Sequence, residues 1–154
     1  MAVKAIPDGQ HSITAYLGVD GASAAIDFYT KAFGASEVYR LDMPGGRVGH
    51  AELKIGDSSL MLGDVCDEGP LGGKTTGKAP VGLHLYVEDV DAQYAQALAA
   101  GAEQISPVQD MFYGDRSGTL RDPFGNVWFL ATHKEDLSPD EIRQRAMDMF
   151  SKGS

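Results

Sequence analysis

The feature that most constrains the fold is a pattern of secondary structure that the chain repeats once. In the first half, Leu17–Asp20 leads into a helical stretch that ends near Gly34, and in the second half Leu85–Glu88 leads into one that ends near Gly101. Each helical stretch is followed by strand-like runs with turn signals at matching places. A repeat of this kind decides the architecture, because each copy forms one supersecondary unit. Both halves therefore predict the order β-α-β-β-β.

The predicted fold class is α+β, with two βαβββ modules whose sheets curl around a shared cleft. Module one covers about residues 12–65, a linker rich in Gly, Lys and Thr covers 66–80, and module two covers about 81–133. A C-terminal helix follows over about 138–151. A chain of 154 residues is long enough for one domain with a real core but not for two ordinary ones. We therefore expect a single domain.

The composition argues against several classes of partner. The formal net charge is −9 and the pI is about 4.7, so the surface repels phosphate backbones and anionic membranes. No apolar run approaches the roughly 20 residues that span a bilayer, and residues 1–10 hold no signal-peptide core. Cys66 is the one cysteine, which excludes an internal disulfide. We expect a cytoplasmic protein that binds neither nucleic acid nor membrane.

The helical stretches follow the 3.6-residue period. The first predicts a buried stripe of Ala25, Phe28, Tyr29, Ala32 and Phe33, and the second a stripe of Val90, Tyr94, Ala97 and Leu98. Asp20 and Asp89 are expected to cap these two helices. Ser138–Glu141 is a capping box, and the apolar stripe that follows it packs either on the domain or on a partner subunit.

Strand alternation separates a helix-facing side of each sheet from a second side that is rich in aromatic residues and histidines. Few Lys or Glu residues lie on this second side, which is unusual for strands that face water. Two such sides that close on each other would enclose an aromatic cleft, as in small-molecule sites. We expect eight ligand-binding side chains to line one cavity: Tyr16, His50, Glu52, Met61, His84, Tyr86, Tyr113 and Arg116.

Two of these groups allow more than one interpretation. Arg116, in a predicted loop at the rim, pairs either with an anionic ligand or with Asp115 or Glu52. His50 and His84 hydrogen-bond neighbouring side chains, contact a ligand, or take part in metal binding or proton transfer. Catalytic residues cannot be named from the sequence.

Particular motifs resemble a known family. The chain is similar to the vicinal oxygen chelate superfamily of glyoxalases, bleomycin-resistance proteins and dioxygenases over roughly residues 12–136, and most to its PhnB-like branch. The resemblance implies the doubled βαβββ fold and a homodimer, without fixing one reaction. It is carried by Ile26–Tyr29, Gly49–Leu53, Leu83–Val90, Phe112–Gly118, Arg121–Asn126 and Ala131–Asp136.

The metal site of the family is the sharpest question that the resemblance raises. The metalloenzymes of the superfamily place a His or Glu on the first and fourth strands of each module, which correspond here to Thr14, Met61, Gly82 and Phe129. Three of these residues offer no nitrogen or oxygen side-chain ligand, and Thr is a poor one. We therefore expect no metal and no cofactor, although a non-standard site at His50, Glu52 and His84 stays open.

Three functions follow from these observations. The first is a PhnB-like protein that binds a small organic ligand in an aromatic cleft without the usual metal. The second is a metal-dependent lyase or dioxygenase with displaced ligands, and the third is a non-catalytic interaction module. The missing ligands and the aromatic residues favour the first. Whether a reaction is catalysed is left open by the sequence.

Overall fold

The structure is a computed structural model that describes residues 6, 8–65 and 82–152. The chain divides into two compact units, Met1–Ala79 and Pro80–Ser154. Cys66 and the predicted linker lie outside the described residues. Within the described ranges, no helix is both long and apolar enough to cross a lipid bilayer.

The first unit is one βαβββ module. Its elements are β1 (Ala15–Val19), α1 (Ala22–Phe33), β2 (Ser36–Met43), β3 (Arg47–Ile55) and β4 (Ser58–Asp64). They form a four-stranded sheet in the order β1-β4-β3-β2, in which β1 and β4 are parallel and the other pairs are antiparallel.

The second unit repeats this topology and adds a helix. Its elements are β5 (Gly82–Tyr86), α2 (Val90–Ala100), β6 (Glu103–Asp110), β7 (Asp115–Arg121), β8 (Val127–His133) and α3 (Pro139–Lys152). The sheet order is β5-β8-β7-β6, with β5 and β8 parallel. The predicted α+β class with two βαβββ modules is therefore confirmed.

The predicted helix stripes form the cores of the modules. All five residues of the α1 stripe are buried, and so are Val90, Tyr94 and Ala97 of α2, whereas Leu98 is half-buried. These stripes pack on the sheets, where alternate strand residues such as Leu53, Leu62, Leu120 and Leu130 are buried as well.

The helix starts are stabilised from a distance in both modules. The expected cap Asp20 is not used, because Gly21 occupies the N-cap position of α1 in a left-handed conformation. Instead the Asp64 carboxylate of β4 accepts hydrogen bonds from the backbone N–H groups of Gly21 and Ala22, each at 2.9 Å, and of Val48 at 2.7 Å. Burial raises the pKa of Asp64, but these N–H groups outweigh it and leave the pKa below its usual value.

In module two the predicted cap Asp89 is confirmed. Its side chain accepts a hydrogen bond from the N–H of Ala92 at 3.2 Å. The hydroxyl of Thr132, on β8, also accepts from the N–H of Val90 at 2.9 Å. Thr132 thus acts on α2 as Asp64 acts on α1, from the last strand of the module.

Strand β6 contains Pro107, although proline cannot donate a hydrogen bond to a sheet. The structure continues β6 to Asp110, with irregular pairing between Ser106 and Gln109. The proline is tolerated because β6 is the edge strand of its sheet.

Candidate functional site

The strand register of module one places a row of side chains across the side of the sheet that faces away from α1. Tyr16 of β1 is paired with Met61 of β4, Met61 with Glu52 of β3, and Glu52 with Tyr39 of β2. His50 lies two residues from Glu52 and therefore on the same side. The structure brings four predicted site residues together here, and it adds Tyr39, which the sequence did not single out.

His50 lies between two tyrosine rings. The Tyr16 hydroxyl is 3.1 Å from His50 Nδ1, and the centroids of the two rings are 5.4 Å apart. The centroid of the Tyr39 ring is 5.5 Å from that of His50 on β3. Aromatic pairs at these separations stabilise each other and form a surface on which another ring can stack.

Gly63 provides the space for this contact. A Cβ atom at Gly63 would lie 3.1 Å from the Tyr16 hydroxyl and 2.8 Å from the Gly49 carbonyl oxygen. The tyrosine therefore reaches from β1 to β3 only because the intervening strand has no side chain at this point. A glycine inside a strand often marks such a close approach.

Glu52 is the buried carboxylate of this face. It is 7% exposed, and the amide Nε2 of Gln10 donates a hydrogen bond to its Oε1. The Gln10 Oε1 atom in turn lies 3.5 Å from the Thr14 hydroxyl. Because Gln10 is 42 residues from Glu52 in the chain and precedes β1, no local signal in the sequence pointed to this contact.

Module two presents an aromatic cluster on the corresponding side of its sheet. The His84 and Tyr86 ring centroids are 4.6 Å apart, and the rings of His84 and Phe129 are stacked with centroids 6.4 Å apart. Phe129 lies over Gly82, where a Cβ atom would come within 2.4 Å of the ring. Predicted residues His84 and Tyr86 are thus adjacent, and Phe129 extends the surface.

A buried aspartate links this cluster to a histidine. Asp115, 5% exposed, accepts a hydrogen bond from the Tyr86 hydroxyl at 2.9 Å and contacts His133 Nδ1 at 2.8 Å. The other ring nitrogen of His133 lies 2.8 Å from Asp136. The hydrogen bond to Asp115, followed by burial, raises the pKa of the Tyr86 phenol. Asp115 was expected only as a partner of Arg116, so this network is a finding of the structure.

The network predicts that the contribution of His133 to the stability of the fold depends on pH. The hydrogen bonds to Asp115 and then to Asp136 raise its pKa above the ordinary value. Stabilisation by the imidazolium is therefore present below about pH 6.5, the ordinary histidine value, and is lost as the pH rises through the higher pKa of the folded state.

We expect Asp115→Asn to lower the pKa of His133, as measured by NMR titration of its ring protons, and to flatten the decline of unfolding free energy over this pH range. Asp136→Asn is the matched control and should produce a smaller fall, because Asp136 is fully exposed. An unchanged His133 titration in Asp115→Asn would contradict the assignment.

Arg116 lies elsewhere than expected. Strand β7 begins at Asp115, so Arg116 is in a strand rather than a loop, and its side chain reaches toward α2. Its guanidinium pairs with Asp91 of α2 at 2.8 Å and with Asp110 of β6 at 3.1 Å. These ion pairs raise the pKa of Arg116, and the same contact lowers the pKa of Asp91. The predicted partners Asp115 and Glu52 are therefore wrong, and the geometry gives no support for Arg116 as an anion-binding group.

Tyr113 is half-buried and packs edge-on against Phe112, with ring centroids 5.2 Å apart. That it lines one cavity with the residues of both modules stays a prediction.

The residues at the expected metal positions do not suit a metal ion. The strand register aligns Met61 with Tyr16 and Phe129 with His84, rather than with the expected Thr14 and Gly82. Of these four side chains only the imidazole of His84 is a usual metal ligand, whereas a thioether and a benzyl group are unsuitable and a phenol is a poor ligand. In the described part of the chain, no three His, Cys, Asp or Glu side chains form a group that could hold a metal. The donor set of the described residues therefore does not fit the usual metal of this fold.

Comparison with known proteins identifies the class. The model of the glyoxalase/bleomycin resistance protein/dioxygenase superfamily matches residues 9–130, so the chain belongs to this superfamily. An uncharacterised protein of Mycobacterium bovis is 39% identical over 157 residues, which cover 99% of this chain and all of the relative.

Solved structures share the fold. TioX from Micromonospora sp. ML1 is 24% identical with a TM-score of 0.64, and the match covers 83% of this chain and 100% of TioX. The PhnB protein from Bacillus cereus is 22% identical with a TM-score of 0.63, and the match covers 79% of this chain and 99% of that one. The predicted resemblance to the superfamily is thereby confirmed, and the PhnB protein shares the fold of this chain.

Proposed function

We propose that this chain binds a small organic ligand on the aromatic faces of its two modules, without the metal site usual in its superfamily. The observation that carries the proposal is the exposure of rings on the sides of the sheets that face away from the helices. Tyr16 is 42% exposed, Tyr39 51%, Tyr86 60% and Phe129 39%. Neighbouring exposed apolar groups that form a patch mark interaction surfaces or ligand-binding grooves.

Polar groups beside the rings support selective binding. His50 and the Tyr16 hydroxyl lie within one face, as do Asp115 and the Tyr86 hydroxyl within the other. Ligand sites combine mostly apolar walls with a few such polar groups, which set the orientation of the ligand. The charge of −9 favours a small ligand over a nucleic acid.

The proposal includes a cytoplasmic homodimer of the PhnB-like branch. Exposed Met147 and Met149 on α3 offer an apolar surface for a second copy. Light scattering at the monomer mass over a wide concentration range would refute the homodimer. Stoichiometric zinc, nickel, iron or manganese in untreated protein would favour the metal-dependent alternative.

A thermal-shift screen against metabolites and antibiotics tests the binding proposal. A compound present at about 100 times its Kd should stabilise the protein by about 2.7 kcal/mol, which raises Tm by several degrees. Tyr16→Ala or His84→Ala should then weaken binding roughly tenfold, since a lost ring contact and a lost polar contact each contribute on the order of 1 kcal/mol.

Asp27→Ala is the control, because it removes an exposed side chain from α1 rather than from the aromatic faces. It should bind the same compound with unchanged affinity. If both Tyr16→Ala and His84→Ala bind a compound found in the screen as tightly as the wild type does, the proposal that the aromatic faces bind the ligand is refuted.

A further inference from the structure

The buried carboxylate of Glu52 is paired with a neutral donor. Within the described residues, its hydrogen-bond partner is the neutral side-chain amide of Gln10. An ionised carboxylate taken out of water is normally compensated by a cation or by several donors, because a single neutral donor replaces little of its hydration. Among the described residues, the compensation of Glu52 is therefore a neutral donor rather than the cation that buried carboxylates usually have.

Aromatic residues lie in the same cross-strand row as Glu52 and beside it on β3. Tyr39 is the cross-strand neighbour of Glu52 on β2, and Tyr16 lies beyond Met61 in the same row. The ring of His50 lies between these two tyrosines. The faces of tyrosine rings attract cations, and the attraction increases where water is excluded.

Two contacts of the described residues around Gln10 are long. Besides its contact with Glu52, Gln10 lies 3.5 Å from the Thr14 hydroxyl, and the Lys54 ammonium donates to the Gly9 carbonyl oxygen at 3.4 Å. Lys54 lies two residues from Glu52 on the same strand, and its charge is directed to this carbonyl. A ligand that offers a stronger donor than an amide can therefore replace Gln10 at the carboxylate.

We propose that Glu52 recognises an organic cation, an amine or amidinium attached to an aromatic body, and that Gln10 holds the carboxylate until this ligand replaces it. The inference rests on the proposed ligand-binding function and names its chemical class. Charge-assisted hydrogen bonds are roughly twice as strong as neutral ones, so the exchange favours the cation. The negative charge of the whole chain attracts cations to the same surface.

Three probes of nearly the same shape test the charge preference: benzamidine, benzamide and benzoate. Their affinities for the full chain are measured by NMR titration at millimolar concentrations. We expect benzamidine to bind about tenfold more tightly than benzamide, in line with a charge-assisted contact, and benzoate to bind most weakly. Glu52→Gln should abolish the difference between benzamidine and benzamide.

Two further variants test the proposal even if the Glu52→Gln protein does not fold. Gln10→Ala should tighten benzamidine binding severalfold, because benzamidine no longer has to displace the Gln10 amide from the Glu52 carboxylate. Asp27→Asn removes the same charge from the exposed surface of α1 and should keep the wild-type preference.

Benzoate binding as tightly as benzamidine, no binding of benzamidine, or an unchanged affinity in Gln10→Ala would overturn the inference. The proposed function would survive any of these results if the library screen finds a neutral or anionic ligand on the same faces.

Discussion

Replacement of Asp122 by alanine is expected to lower the free energy of unfolding by about 3–5 kcal/mol. The side chain is 2% exposed and accepts three hydrogen bonds of 2.9 Å, from the N–H groups of Phe124 and Asn126 and from the indole Nε1 of Trp128. Alanine leaves the buried indole N–H of Trp128 and two part-buried backbone N–H groups without this acceptor. The loss is large because hydrogen bonds to charged groups contribute more than neutral ones and unmade buried ones are costly.

Urea unfolding followed by tryptophan fluorescence measures this effect directly, because Trp128 is the single tryptophan and contacts the substituted residue. Asp57→Ala is the control, since it removes an exposed carboxylate from the turn between β3 and β4. The control should change stability by less than about 0.5 kcal/mol. A loss below about 1 kcal/mol in Asp122→Ala would contradict the account of this turn.

Gly114→Ala is expected to destabilise module two by about 2–4 kcal/mol. Gly114 has a φ of 98°, which residues with a Cβ atom rarely adopt. A Cβ atom here would lie 2.6 Å from the backbone carbonyl oxygen of Glu135, which cannot rotate away. The carbonyl of Gly114 also accepts hydrogen bonds from the N–H groups of Lys134 and Glu135, both at 2.9 Å, so the clash separates the segment after β8 from this loop.

Gly125→Ala separates backbone strain from the clash. Gly125 has a similar φ of 93°, but nothing lies within 4 Å of the position of its Cβ atom. It should lose only about 1 kcal/mol, the cost of the left-handed conformation. Equal losses in the two variants, measured by urea unfolding, would show that the contact with Glu135 has no energetic effect.

The modules could be predicted because the signals that define them are local. The helical period predicted the buried stripe of α1, and the repeat predicted the number and order of the strands. Long-range contacts could not be predicted in this way. Asp64 stabilises the start of α1 from 42 residues away. The residues around Asp64 in the sequence indicate only the end of a strand.

Site residues were predicted correctly where the alternation of side chains along a strand determines which side of the sheet they occupy. Parity placed His50 and Glu52 on one side of β3, and the strand register confirms that Tyr16 and Met61 belong to the same side. Arg116 was misplaced because it was expected in a loop, whereas β7 already begins at Asp115. Gln10 was missed since it lies outside any periodic element.

Chemical-shift mapping with a compound from the thermal-shift screen tests the central claim most directly. In the ¹⁵N-labelled protein, the largest changes should fall on β1, β3 and β4 around Tyr16 and His50, and on β5 and β8 around His84 and Phe129. Binding on these strands would support a ligand site on the aromatic faces. Changes confined to α1, α2 and α3, with the strand signals unmoved at saturation, would contradict the proposed function.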